Sequence, residues 1–337
     1  MPRIAAFGEV MMRLQVPGVE TLAQGSRLEY SFSGSGVNVT AALSRYGHNG
    51  ALITTLPETP VGEAAIAYLR KLGVDTSLIS RGGKHLGMYF LENGFGARPG
   101  RVTYTDRLGS SFNTAEADHY DMAALASRVD VLHLCGITLA MNEGVRRQMK
   151  QLAAEVKRAG GKVVFDCNYR PALWGADGYA KARPHYEELL TLADTVMMNE
   201  KDAQFILGIG TGEYDRITQL KQAIPEVAER FGIGTAAGTH REINADNTHS
   251  LTGYIYHQGM FRFSRKLTFP VYDRIGAGDA FTSGVIHGEL QQYPQQQTVD
   301  MAAAAAMLAH TTQGDTALFT ESEVLRALCG HTLDVER

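Results

Sequence analysis

The chain has 337 residues, 44% of them apolar and 20% charged, with a formal net charge of −4. That supports a sizeable core, argues against general disorder, and leaves no broad basic surface for sequence-independent nucleic-acid binding. The longest apolar stretch, Met301 to Ala309, falls far short of the ~20 residues that cross a bilayer. Glu9 interrupts the first apolar run before a signal-peptide core could form, so a cytoplasmic protein is expected. Three cysteines without a C-x-x-C pair outline neither a disulfide framework nor a zinc site. The outlying number is 36 glycines against 10 prolines, which directs attention to turns and close backbone approaches.

In chain order, Arg3 to Phe7 reads as a buried strand ending at Gly8-Glu9. Val39 to Tyr46 is a predicted helix closed by Gly47. Ala51 to Leu56 is a strand, and Val61 to Leu72 a helix ending at Gly73. Leu86 to Glu92 and Val102 to Thr105 flank the Gly-rich turn Asn93 to Gly100 as a hairpin. Val129 to Cys135 is a short apolar run, and Glu143 to Ala159 a helix before Gly160-Gly161. Strands follow at Lys162 to Asp166 and Ala193 to Met198, then a short helix at Lys201 to Leu207. Gln219 to Phe231 is helical, broken or started at Pro225. Leu251 to His257 and Met260 to Ser264 form a second hairpin around Gln258-Gly259. Helices at Gly278 to Leu290, Val299 to Thr312 and Glu321 to Leu328 complete the chain. Strands alternating with helices predict an α/β fold with a parallel sheet covered on both faces. The expected organisation is one domain over 1–337, with a small β lid built from parts of 10–33 and 85–112.

Asp273-Arg274-Ile275-Gly276-Ala277-Gly278-Asp279 is the most informative stretch. Two glycines allow a tight turn, and the apolar helix that follows aims its first N–H groups at it. Such a turn binds anions, phosphate above all. Asp279, in the first helical turn, could take a hydroxyl proton while those N–H groups hold a transferring phosphoryl group. It could equally be a plain helix-capping residue. Ser33-Gly34-Ser35-Gly36-Val37-Asn38 also runs into a helix and could cradle a polar ligand, or serve only as a cap. No G-x-x-x-x-G-K-[ST] occurs, which excludes a Walker NTPase. Arg170 follows a buried strand, where residues of a parallel sheet line the ligand crevice. It could bind a carboxylate in bidentate fashion or pair at the surface. Tyr89, Tyr104 and Arg107 sit on the proposed lid, as substrate contacts or as ordinary hairpin residues. Cys167 has no paired histidine and reads as a buried thiol.

Taken together, GSGVNVTAALSRYG (Gly34 to Gly47) and DRIGAGDAF (Asp273 to Phe281) resemble the ribokinase-like (PfkB) carbohydrate kinases over nearly the whole chain. Asp273-Arg274, the run from Asn168 to Trp174 and the segment His310 to Asp315 are most similar to the branch acting on 2-keto-3-deoxygluconate (KDG). The resemblance implies a three-layer α/β/α fold with a β lid. It also implies ATP-dependent phosphorylation of the 6-hydroxyl of KDG, with Mg²⁺ on the phosphates.

By the same resemblance Asp279 matches the catalytic base, and Gly276, Ala277 and Gly278 the anion hole. Gly34, Gly36, Asn38, Tyr89, Tyr104, Arg107, Arg170 and Asp315 match sugar positions. Asn168, Asn199, Thr239, Arg241, Gly276 and Gly278 match the nucleotide side. The family's N-x-x-E reads here Asn199-Glu200-Lys201-Asp202, so Asp202 would meet the metal through a water. The segment Thr235 to Arg241, TAAGTHR, departs from the T-x-G seen near the nucleotide in relatives. The expected partners are a small sugar acid and ATP, with no nucleic acid and no membrane, and a homodimer through the lid. Kinases of fructose or of the galacto epimer, and a catalytically silent sugar-binding protein on the same fold, are the alternatives.

Overall fold

The structure is a computed structural model that describes residues 2–116 and 118–329; the expected 1–337 domain is therefore described within those limits. Its strands are β1 (Arg3–Phe7), β2 (Met11–Gln15), β3 (Glu29–Ser33), β4 (Asn49–Leu56), β5 (Ile79–Arg81), β6 (Gly87–Glu92), β7 (Arg101–Thr105), β8 (Val131–Cys135), β9 (Lys162–Asp166), β10 (Thr195–Met197), β11 (Thr235–Ile243), β12 (His249–His257), β13 (Met260–Phe263) and β14 (Leu267–Phe269). The helices are α1 (Ser35–Arg45), α2 (Pro60–Lys71), α3 (Met122–Ala126), α4 (Gly136–Leu139), α5 (Glu143–Arg158), α6 (Pro171–Trp174), α7 (Gly178–Leu190), α8 (Arg216–Phe231), α9 (Ala277–Leu290), α10 (Gln295–Ala309) and α11 (Glu321–Leu328).

Ten strands form the main sheet, in the order β13-β12-β11-β10-β9-β8-β1-β4-β5, with β14 beside β12. Neighbours from β11 to β5 run parallel, and β12 pairs antiparallel with β11, β13 and β14. Alternate residues face opposite layers, as the pleat requires. Ala5, Phe7, Leu132, Leu134, Val163 and Phe165 pack on Met149, Leu152, Tyr186, Leu189 and Ile224 of α5, α7 and α8. Ile4, Val164, Met197 and Ala237 meet Phe281, Val285 and Ala302 of α9 and α10. Ala6 and Leu52 meet Val37, Ala41, Ile66 and Leu69 of α1 and α2. The result is the expected three-layer α/β/α arrangement.

A second, four-stranded sheet has the order β3-β2-β6-β7. Its strands come from the two segments expected to build the lid. It is mixed: β2 runs parallel to β6, while β3 and β7 are antiparallel to their neighbours. Burial alternates along β2, with Met11, Arg13 and Gln15 inward.

Several expectations need correction. Helix α1 begins at Ser35, four residues before the expected Val39. Pro225 lies inside α8 and neither breaks nor starts it; burial of Leu220, Ala223, Ile224 and Val227 on one face offsets the hydrogen bond that proline lacks. The expected helix at Lys201 to Leu207 is wound as a π-helix over Asp202–Ile206, a local widening common at functional sites. Strand β11 was not expected, because its small residues Ala236, Ala237 and Gly238 carry little strand propensity. Its place is set by pairing with β10 and β12 on its two sides.

Candidate active site

The carboxyl ends of β1, β8, β9 and β10 and the N-terminus of α9 converge beneath the small sheet. Gly276 caps α9 in the left-handed region at φ 82°. A Cβ there would lie 1.7 Å from the Asp315 carbonyl oxygen, so only glycine fits this turn. Past it, the N–H groups of Ala277 and Gly278 have no helical acceptor. A Cβ on Gly278 would meet nothing within 4 Å, which leaves room over those donors for an anion.

Asp279 follows on the first turn of α9 and is buried. Ser35 Oγ donates to its Oδ1 at 2.6 Å and Asn38 Nδ2 to its Oδ2 at 2.7 Å. Burial pushes its carboxyl above the usual range, while the Asn38 and Ser35 hydrogen bonds and the Arg170 charge pull it back. Asn38, expected on the sugar, is also engaged at its Oδ1, which accepts from Thr316 at 3.0 Å. Gly34 is fixed by a close approach: a Cβ would lie 2.2 Å from the Glu9 carbonyl oxygen. Gly36, also expected on the sugar, has a packing task of its own. It faces the sheet, where a Cβ would come within 3.0 Å of Ala6 and 3.1 Å of Leu52, so it sets the packing of α1.

From the small sheet, the Tyr89 hydroxyl donates to Asp315 Oδ2 at 2.5 Å and lies 2.9 Å from Ser33 Oγ. Asp315 also accepts from Arg13, whose guanidinium reaches Asp273 Oδ2 at 3.0 Å. The Tyr104 ring stands beside Tyr89 and beneath the Arg107 guanidinium, 5.1 Å from its centroid. Arg107 is not wholly free for a substrate, since its Nε donates to Glu9 Oε2 at 2.7 Å. Its Nη1, however, is buried and has no hydrogen-bond partner among the described residues. Ser110 and Asn113 complete the ring around Glu9 at 2.7 and 3.0 Å.

Arg170 caps α6 and is exposed. Among the described residues it has no carboxylate within ion-pair distance, yet its charge lowers the carboxyls of Asp166, Asp202 and Asp279. Asn168, in the left-handed region at φ 32°, donates from Nδ2 to Cys135 Sγ at 3.0 Å. Cys167 is buried and its thiol is pushed far up, consistent with an inert core residue.

On the side expected to meet the nucleotide, Asn199 and Asp202 close on each other. The Asn199 N–H donates to Asp202 Oδ2 at 2.9 Å, and Asn199 Oδ1 accepts from the N–H groups of Lys201 and Asp202 at 2.8 and 3.3 Å. Burial raises Asp202 to about 7; burial, with the charges of Asp279 and Asp202, raises Asp166 to about 7. Each keeps one carboxylate oxygen without a hydrogen bond among the described residues. Thr239 and Arg241 share one face of β11, where Arg241 Nη1 lies 3.2 Å from His249 Nδ1. Arg274 adds a second positive charge there, and neither arginine has a carboxylate partner among the described residues. Arg13, Glu9, Ser35, Asp166 and Thr316 were not singled out from the sequence. The pattern of β2 gave no signal for Arg13, because Met12 and Leu14 alternate with it and would place it on the solvent side.

The family described as pfkB family carbohydrate kinase matches residues 1–242 and 247–322. A 2-dehydro-3-deoxygalactonokinase from Haloferax volcanii is 30% identical over 334 residues, covering 99% of each chain. The structure of a candidate 2-keto-3-deoxygluconate kinase from Enterococcus faecalis superposes with a TM-score of 0.95 at 37% identity, covering 100% of this chain and 99% of the other. A 2-dehydro-3-deoxygluconokinase from Thermotoga maritima gives 0.92 at 30% identity, covering 98% of each. A glycine turn opening α9, a buried Asp279 beside it and matches of this extent lead to one conclusion: the chain belongs to the pfkB family of carbohydrate kinases.

Proposed function

We propose that this kinase transfers the γ-phosphoryl group of ATP to the 6-hydroxyl of KDG, giving 2-keto-3-deoxy-6-phosphogluconate. The observation that carries the reading is Asp279, buried at the N-terminus of α9 and oriented by Ser35 and Asn38. In that position it takes the proton of the 6-hydroxyl as the oxygen attacks phosphorus and the bond to ADP breaks. The N–H groups of Ala277 and Gly278 stabilise the charge on the phosphoryl oxygens. Arg241 and Arg274 suit the remaining phosphates. Asp166 and Asp202 suit Mg²⁺, which takes one or two carboxylates and completes its octahedron with water and phosphate oxygens. No cluster of three or more metal-binding side chains stands among the described residues. Bound there, Mg²⁺ would supply charge neutralisation of the phosphates.

The free donors of Arg107 and Arg170 favour a sugar acid over a neutral sugar. The small sheet would cover this pocket as a lid, and its outward face would join two chains as a homodimer. We place the reaction in the cytoplasm on the resemblance to the PfkB sugar kinases; no described helix is long and apolar enough to cross a membrane. The galacto epimer is the second reading, favoured by the name of the Haloferax relative. A coupled assay with KDG, its galacto epimer and fructose tests the reading. KDG turnover should exceed that of fructose by orders of magnitude. Arg170→Ala should weaken KDG by about 2 kcal/mol while barely changing a neutral sugar. Equal turnover of fructose would overturn the sugar-acid assignment.

A further inference from the structure

We propose that Arg13 is a positioning residue for phosphoryl transfer, tying the small sheet to the loop that forms the anion hole. The proposal rests on the kinase reading above. Arg13 stands in the middle of β2 and is 2% exposed; arginine is almost never buried so fully unless paired. Its Nη2 donates to Asp273 Oδ2 at 3.0 Å, its Nη1 to Asp315 Oδ1, and its Nε to Gln15 Oε1 at 3.0 Å.

Both aspartates also bear on the catalytic turn, Asp273 through its carboxylate and Asp315 through its backbone. Asp273 Oδ1 accepts the N–H groups of Arg274 and Ile275 at 2.6 and 3.1 Å, and its Oδ2 takes the Gly314 N–H at 3.3 Å. The Asp315 carbonyl fills the space that a Cβ on Gly276 would need. Arg13 therefore grips the two segments that enclose Gly276. Tyr89, from the neighbouring strand β6, adds its own bond to Asp315. One guanidinium and one phenol thus connect the small sheet to the anion hole.

A planar fork suits this place because it can reach two carboxylates on different segments at once. Without it, Asp273 and Asp315 become buried like charges facing one another. The turn then shifts, and with it the donors at Ala277 and Gly278. Phosphoryl transfer depends on positioning, and a misplacement of ~1 Å costs on the order of 100-fold.

The test is steady-state kinetics of wild type, Arg13→Met and Arg13→Lys, with thermal unfolding of each. Arg13→Met should lower kcat about 100-fold while KM for ATP and for the sugar acid changes far less. Arg13→Lys keeps the charge but not the fork, and should recover kcat to about tenfold below wild type. If Arg13→Met does not fold, the lysine variant decides alone. A folded variant with wild-type kcat, or with kcat and KM damaged in proportion, overturns the positioning role. A wild-type enzyme that phosphorylates no sugar acid overturns the underlying reading instead.

Discussion

Asp279 is poised by opposing influences that can be separated one side chain at a time. Burial favours the protonated carboxyl, while the N-terminus of α9, the Ser35 and Asn38 hydrogen bonds and the Arg170 charge favour the carboxylate. Burial prevails, so the group is a stronger base than a free aspartate, and a larger share of it is protonated in mildly acidic solution. Ser35→Ala removes the 2.6 Å bond to Oδ1 and with it part of the preference for the charged form. The acid-side midpoint of kcat/KM should then move up by roughly 0.5–1 pH unit, since one hydrogen bond is worth about 1 kcal/mol. Activity at pH 6 should fall more than activity at pH 8. A midpoint that stays in place or moves down would show that Ser35 does not tune the base.

At the level of elements, what could be read in the sequence depended on how each element earns its place. Strands β1, β4, β8 and β9 are mainly apolar runs, and helix α5 repeats its apolar positions at helical spacing, so local pattern alone marks them. The Gly276 turn was legible for a related reason: the left-handed φ of 82° at its cap is a local demand that glycine meets. Strand β11 and helix α7, which holds Pro184 in its interior, owe their conformations to neighbours far away in sequence. Arg13 was hidden in another way. A polar residue on an alternating strand is normally read as facing water, whereas β2 turns Arg13 inward toward carboxylates some 260 and 302 positions distant. The central strand β8 carries a comparable buried polar residue, His133, whose ring is held down to about 4 by burial alone. The unfolded chain binds this proton near pH 6.5 and the folded chain only near pH 4. The stability it allows is therefore complete above pH 6.5 and is lost as the pH falls toward 4. Between pH 7.5 and 4.5, wild type should lose roughly 2–3 kcal/mol more than His133→Leu in urea unfolding. Parallel losses in the two proteins would refute the assignment.

For the molecule as a whole, the small sheet poses a question that the main sheet does not. Its inward face, with Met11, Arg13, Tyr89 and Leu91, is buried against the site. By the same alternation its other face carries Leu14, Met88 and Phe90, all half-buried, and Tyr30, which is 62% exposed, while Met12 and Phe32 on that face pack against the core under α1 and α2. An apolar face of this kind is a liability on a lone molecule and an asset at an interface. Four strands of five or six residues span only about 300 Å², against about 800 Å² per partner in a stable complex. A homodimer would therefore also use adjacent apolar side chains, and Leu22 and Leu28, exposed between β2 and β3, are suitably close in the chain. Sedimentation equilibrium at micromolar concentration should show a dimer for wild type. Phe90→Glu places a charge in the middle of the face and should give a folded monomer, since the outward position leaves the core untouched. A wild-type monomer, or a Phe90→Glu dimer as tight as wild type, would remove this face from the interface. Were the monomer to keep its kcat but bind sugar more weakly, the partner chain would be acting through the sheet that carries Arg13 and Tyr89, bracing it from outside while those two side chains hold it from within.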